Sequence, residues 1–332
     1  MTWQPSAAMS GPFVLPDSIQ SVLNPETAVA QLIATIGWIM VAGSALIFLV
    51  VIALSAYALF APAERRAKIA RHSLIIYGGV VFPVITLFAL LIYALVLADT
   101  IVDDDEPARL RIEVVGEQFW WRVRYLNEAG ETDAVTANEI HIPVGWPVDI
   151  QVKAVDVIHS FWVPNLAGKI DMIPGRTNTL RISVSRAGTW RGQCAEYCGA
   201  QHAKMAFHVV SETPEAFAAW LAVQRRPAQE PDNRWLKRGK TLFLSKDCGQ
   251  EDCCVDCHTV RGTAADGEKG PDLTHVGGRS WIAAGTLPNN VGTLGGWIAS
   301  SQHLKPGSHM PSFDRYPGED LRALASYLES LK

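Results

Sequence analysis

From Thr27 to Ala63 the sequence carries no Asp, Glu, Lys or Arg, and a second charge-free run extends from Ser73 to Ala98. Each run exceeds the roughly 20 apolar residues that a helix needs to cross a bilayer. Neither has a polar stripe at helical spacing, which sets aside two buried core helices of a soluble domain. Residues 28–98 therefore read as a transmembrane helical hairpin. Between the runs, Arg65, Arg66, Lys68 and Arg71 face a single acid, Glu64, whereas Asp99 and Asp103 to Glu106 follow the second run. By the positive-inside bias the short loop is cytoplasmic, so residues 1–27 and everything after residue 98 lie outside. Residues 1–26 hold no Lys or Arg, unlike the basic start of a conventional signal peptide. Neither span offers an intramembrane proton relay of its own. Gly78, Gly79 and Pro83 favour close contact with another helix, expected from a larger membrane subunit.

A chain of 332 residues is long enough for two or three domains. With 19% charged residues and a net charge of -4, it has no electrostatic footprint for nucleic acid. From Arg109 the pattern changes to strict alternation, with Leu110, Ile112 and Val114, then Ile140, Ile142, Val144, Val148, Ile150 and Val152 on one face. Such short period-two runs, broken by Gly and Pro, predict an antiparallel sandwich or barrel over residues 107–223. Residues 224–233 hold two prolines and no large apolar side chain, and read as a flexible linker to a last domain over 234–332.

All six cysteines follow residue 193. Cys194, Cys198, His202 and Met205 are spaced four, four and three residues apart, so two thiolates, an imidazole and a thioether can converge. Three readings compete: a zinc knuckle, a Cys194–Cys198 disulfide with bystanders, and a copper electron-transfer centre. Zinc has no use for the thioether, which favours copper. Cys254-Val-Asp-Cys-His258 is the pattern of covalent haem c attachment, in which two thiols add across the porphyrin vinyls and the adjacent His binds iron. Amphipathic Trp235 to Leu244 precedes it, and Leu321, Leu324, Ala325 and Leu328 form one helical face at the end of the chain. The second axial ligand is expected in Lys305-Pro-Gly-Ser-His-Met-Pro311. Met310 is preferred there over His309 and His303. Cys248 and Cys253 bracket four residues and read as a disulfide, with a pair of free thiols as the alternative.

The run Cys194-Ala-Glu-Tyr-Cys-Gly-Ala-Gln-His-Ala-Lys-Met205, with His159 upstream in Val157-Ile-His-Ser-Phe-Trp-Val-Pro164, resembles the binuclear copper A site of cytochrome c oxidase subunit II. The resemblance implies a cupredoxin-like Greek-key domain, with Thr179–Val184 and Ala206–Val210 as the strands beside the copper loop. It implies copper ligation by His159, Cys194, the Glu196 carbonyl, Cys198, His202 and Met205. The Glu196 carboxylate would bind magnesium at the boundary with the catalytic subunit, and Asp171 and Arg176 would lie over that subunit. His208, outside this ligand set, is expected on the strand surface. In the family, an aromatic cluster beside copper A takes in the electron from cytochrome c, which implicates Phe119, Trp120 and Trp121. The bland alternative is a core strand with a cation–π pair to Arg122 or Arg124. Phe119 stands where many members have the first Trp of the cluster. Ile76, Tyr77, Gly79 and Val80 replace the Glu and Trp-Thr pair near the proton path, which puts proton uptake through this chain in doubt.

With its haem motif the chain is similar to subunit II of the caa3 kind, carrying a fused class I cytochrome c domain of all-α fold. The resemblance implies a multi-domain protein of the bacterial cytoplasmic membrane. Its implied cofactors are two coppers, one haem c and magnesium at the interface. Its implied partners are membrane lipid, a cytochrome c donor, a subunit I with haem and copper B, and a subunit III. A nitric oxide reductase subunit and a membrane-anchored electron shuttle are the alternatives. Quinol oxidase subunits of this fold lack both motifs.

Overall fold

The structure, a computed structural model, describes residues 19–69, 71–102, 106–247 and 253–332. Among the described residues, those from 28 to 106 form one compact unit, and those from 19 to 27 and from 107 to 332 form another. In the first unit, α1 (Ala28–Phe60) is followed by two short helices, α2 (Ala63–Ile69) and α3 (His72–Ile76), and by α4 (Phe82–Val102). Both long apolar runs are long enough to cross a membrane, and each has an 18-residue stretch with no buried residue. Between α3 and α4 the residues Tyr77–Val81 make a π-helical turn. Its cause is local: Pro83 has no N–H for the carbonyl four residues back, Gly79, and the Gly78-Gly79 pair yields easily. A Cβ on either glycine would meet nothing in this chain, so that face is open to another helix.

The β domain is a sandwich of two five-stranded sheets. The first sheet comprises β1 (Leu110–Glu117), β2 (Trp120–Leu126), β3 (Thr132–Ala137), β5 (Val148–Ala154) and β8 (Asn178–Ile182). The second comprises β4 (Glu139–Pro143), β6 (His159–Trp162), β7 (Ile170–Met172), β9 (Gly188–Cys194) and β10 (Ala206–Glu212). The orders are β3-β2-β1-β5-β8 and β4-β10-β9-β6-β7, with parallel pairs only at β1/β5 and β4/β10. Alternation places Ile112, Val114, Ile150 and Val152 inside, all fully buried. Strand β4 departs from it: Glu139 and His141 are buried as well, because Trp220 of α5 (Pro214–Gln224) stacks on His141 at 4.1 Å. At the core, Phe161 and Phe207 stack at 4.5 Å and Trp121 meets Phe207 edge-on at 4.9 Å.

The strands beside the copper loop are β9 and β10, which pair antiparallel; Thr179–Val184 contributes instead to β8, across the sandwich beside β5. Strand β9 escapes hydrophobic patterning because its inward positions are Trp190, Gly192 and Cys194. A Cβ on Gly192 would lie 2.2 Å from the Phe207 ring. Glycine in a strand costs roughly 0.5–1 kcal/mol, and burying a Phe returns about 1.5–3 kcal/mol, so packing wins.

Segment 19–27 is bound to the second sheet. Arg191 N donates to Ile19 O at 2.8 Å, and Thr27 Oγ1 donates to Leu166 O at 2.5 Å. The segment after α5 is pinned rather than loose. Arg225 grips the Asp133 carboxylate, Arg261 donates to Gln224 O at 2.6 Å, and Ala228 N bonds Arg261 O at 2.9 Å. Its polar, proline-bearing composition gave no hint of these partners, which come from distant parts of the sequence.

In the cytochrome domain, α6 (Arg234–Phe243), capped by Asn233, crosses the last helix, α9 (Gly318–Ser330). Gly239 sits at the crossing, where a Cβ would be 2.1 Å from Ala323 O. Between them come α7 (Cys254–Cys257) and α8 (Val291–Leu304), the latter capped by Asn290. Cys253 is disulfide-bonded, and Cys248, its expected partner, lies outside the described residues.

Candidate copper and haem centres

Cys194, at the end of β9, and Cys198, in the following loop, bring their sulfurs to 3.8 Å, nearly twice a disulfide bond length, and both thiols are free. This disposes of the Cys194–Cys198 disulfide. Two sulfurs at that separation can both bond one ion at about 2.3 Å each. Each sulfur has its own imidazole: His159 Nδ1 lies 3.8 Å from Cys194 Sγ, and His202 Nδ1 lies 3.7 Å from Cys198 Sγ. Met205 Sδ is 3.8 Å from Cys198 Sγ, and the Glu196 carbonyl oxygen is 3.1 Å from Cys194 Sγ. All six expected donors are therefore gathered, and the donor set is soft, as copper demands.

The two thiols differ in acidity. The Cys198 thiol and then the His159 ring hold Cys194 far below the ordinary thiol value, to about 3, against the pull of burial; Cys198 is pushed up by the same pairing. Burial opposes charge on His159, but Cys194 and Asp156 outweigh it and raise its pKa.

Three supporting residues went unread in the sequence. Asp156 bonds His159 Nε2 at 2.8 Å, leaving Nδ1 toward the sulfur, and accepts from Gln118 N at 2.7 Å. Gly116 makes room, since its Cβ would stand 2.9 Å from the His159 ring. Gln118 donates to the Cys198 carbonyl. Only the i, i+3 spacing of Asp156 and His159 could have signalled any of this.

Glu196 and Asp171 are each 3.4 Å from Lys169 Nζ, and all three are about half exposed. Arg176 is exposed beside a charged groove with Glu113 and Arg122. His208 is not on the surface, as expected, but buried, stacked on Trp281 at 5.2 Å with neither ring nitrogen bonded. The cytochrome domain covers the outer face of β10, and burial lowers the His208 pKa to about 4.

Cys254, Cys257, His258 and Met310 line one cavity, apolar at its back with Phe243, Leu294 and Leu324. His258 Nδ1 lies 2.8 Å from Pro271 O, which fixes the proton there and leaves Nε2 for a metal. Burial lowers the His258 pKa and favours that neutral ring. Gly270 is obligatory, because a Cβ would lie 2.7 Å from the His258 ring. Burial pushes the Cys254 thiol up to about 11. Met310 is half-buried in the wall; His309 also lines it but is exposed, and His303 is exposed without being among its lining. The cavity thus has the thiol pair, an imidazole and a thioether that a haem c needs.

The cavity's other wall belongs to the β domain: Gln118, Phe119 and Trp120. Phe119 tilts against His309 at 6.3 Å, Arg122 lies over Trp120 at 4.7 Å, and Trp121 is wholly inside the sandwich, against His159. The Phe119 ring reaches the copper loop as well, 3.2 Å from where a Gly199 Cβ would stand.

The family described as cytochrome c oxidase subunit II, periplasmic domain, matches residues 124–212, and the cytochrome c family matches residues 236–332. A cytochrome c oxidase subunit 2 of Alkalihalophilus pseudofirmus is 38% identical over 67% of this chain and 61% of its own length. One from Branchiostoma floridae is 35% identical over 42% of this chain and 68% of its own length. One from Bacillus subtilis is 28% identical over 76% and 73%. Against the first of these the chain spans about three fifths of the relative's length. A solved periplasmic domain of subunit II of cytochrome oxidase from Bradyrhizobium japonicum aligns with a TM-score of 0.34 at 30% identity, over 36% of this chain and 96% of that one. The chain belongs to the cytochrome c oxidase subunit II family, with a cytochrome c domain following its cupredoxin-like domain.

Proposed function

We propose that this chain is the electron-conducting subunit of a bacterial cytochrome c oxidase of the caa3 kind, anchored in the cytoplasmic membrane by α1 and α4. It accepts electrons from cytochrome c at its own haem c and delivers them by copper A to a catalytic subunit I, which reduces oxygen to water. A subunit III is expected alongside. No oxygen-reducing site belongs to this chain, which acts as part of an enzyme. The observation that carries the reading is the pair of free cysteine sulfurs 3.8 Å apart, each facing its own imidazole.

His159, Cys194, the Glu196 carbonyl, Cys198, His202 and Met205 would hold the copper pair, which supplies one-electron chemistry shared over two metals with little rearrangement. The chain's own part is positional. Asp156 orients His159, and the sandwich core behind Cys194 excludes water. Cys254 and Cys257 would carry the haem, with His258 and Met310 on its iron. Of the three expected uptake residues, Phe119 borders both the haem cavity and the copper loop, Trp120 lines the cavity, and Trp121 lies inside the sandwich against His159. The position of Phe119 serves transfer from the fused domain better than docking of a separate protein. Glu196 would bind magnesium with a subunit I neighbour, displacing Lys169.

Co-purification tests the assignment. An oxidase subunit comes down with a partner bearing high-spin haem and copper B, and the preparation consumes oxygen with reduced cytochrome c. A preparation that reduces nitric oxide instead points to the reductase alternative, and a chain that purifies alone and reduces several acceptors is a shuttle.

A further inference from the structure

Three cysteines, not two, line the haem cavity: Cys253, Cys254 and Cys257. Cys253 is 5% exposed and packs in the core of the cytochrome domain. Its N–H donates to the Asp256 carboxylate at 2.7 Å, and its carbonyl accepts from Asp256 N at 3.1 Å, so it is fixed at the start of α7. Gly267 closes on that turn from the other side, where a Cβ would lie 2.6 Å from the Cys257 nitrogen. The turn has no room to shift.

Residues three and four apart share one face of a helical turn. Cys257 thus has two neighbours that could take the second vinyl, Cys254 three residues before it and Cys253 four. Spacing alone leaves that choice open, and the chemistry of attachment decides it. A thiol adds across a vinyl: sulfur bonds the carbon next to the ring, the thiol proton goes to the terminal carbon, and the double bond becomes single. Cys254 and Cys257 are free thiols, whereas Cys253 is disulfide-bonded and has no proton to give. Cys248 is the one cysteine of the six that remains to be its partner.

We infer that the Cys253 disulfide selects the pair of cysteines that carries the haem, by keeping a third thiol in the cavity from competing with Cys254. This rests on the haem assignment above. The bond closes before the haem is loaded, by exchange with a protein disulfide, which takes two electrons and two protons from the two thiols and leaves as a dithiol. Stabilisation is the weaker reason for such a bond. A loop of four intervening residues is short, and the gain from cross-linking an unfolded chain grows with loop length.

The test compares the full chain in detergent with Cys248→Ser, Cys253→Ser and the double variant. Each is alkylated, digested and mapped by mass spectrometry for the cysteines that carry haem. The unaltered chain, Cys253→Ser and the double variant should yield one haem peptide, joined at Cys254 and Cys257. Cys248→Ser frees the Cys253 thiol and should add a second haem peptide, joined at Cys253 and Cys257, with Cys254 alkylated. Should Cys248→Ser lose its haem altogether, recovery of haem in the double variant supports the inference, because only the free thiol has been removed. Equal loss in both variants overturns it, since the bond is then needed for the fold alone. A Cys248→Ser chain with haem only at Cys254 and Cys257, and with Cys253 alkylated, also overturns it. Absence of any haem peptide from the unaltered chain would overturn the haem assignment instead.

Discussion

The side-chain amide of Gln118 donates to the carbonyl oxygen of Cys198 at 2.6 Å, while Gln118 itself lines the haem cavity. One residue thus touches both redox sites, and its backbone N–H is held by Asp156, which also orients His159. Gln118→Leu removes one neutral hydrogen bond, worth roughly 0.5–1.5 kcal/mol, so the fold should survive with a small loss of stability. Both the copper and the haem absorption should persist, and electron transfer from haem to copper, followed after photoreduction, should slow. An unaltered transfer rate would show that the contact is structural only.

Met205 is wholly buried, with its sulfur 3.8 Å from Cys198 Sγ. Met205→Ala should shift or split the near-infrared copper band without loss of copper, because the thiolates and imidazoles remain. A band identical to that of the unaltered chain would remove Met205 from the ligand set.

His141 is clasped by two carboxylates, Glu139 at 2.9 Å and Glu212 at 2.8 Å. Burial works against its charge, but the two acids outweigh it and raise its pKa above 6.5. Burial would raise Glu139, and His141 overrides it to hold that acid below 4.5. Stability from the imidazolium is complete below about pH 6.5 and is lost as pH rises through the raised value. Stability from Glu139 is complete above about pH 4.5 and is lost as pH falls through its lowered value. Urea denaturation should therefore find this cluster strongest between the two values. His141→Ala leaves buried Glu139 without its counter-charge, at about 3–5 kcal/mol, and should abolish the decline on the alkaline side. A decline that persists in the variant would assign it to other groups.

Gly239→Ala places a methyl against the Ala323 carbonyl where α6 crosses α9. Overpacking of this kind typically costs about 1–3 kcal/mol, and backbone contact leaves little room to relax. Thermal melting of the cytochrome domain, followed by haem absorption, should move down while the copper band holds its midpoint. A melting point equal to that of the unaltered chain would mean that the crossing opens freely.

The sequence made the sandwich legible where alternation was strict, as in β1 and β5, and made the haem loop legible through its fixed spacing. It hid β9, whose inward Gly192 and Cys194 carry no hydrophobic signal, so the copper loop was assigned a wrong neighbouring strand. The expected copper donors were readable because five of the six share one short run. Asp156, Gln118 and Gly116 were not, since their roles arise only when β1, the β5–β6 connection and the copper loop meet. His208 was misplaced for a related reason: its face of β10 is solvent-side in an isolated sandwich and is covered only once Trp281 packs on it. The pinning of segment 224–233 likewise depends on Asp133 and Arg261, far away in sequence.

Elemental analysis of the purified chain, free of other subunits and combined with its optical spectrum, bears most directly on the copper and haem assignment. The account predicts two coppers and one covalently bound haem iron per polypeptide, with a near-infrared band from the thiolate-bridged pair. Zinc in place of copper, or a single copper per chain, would contradict it.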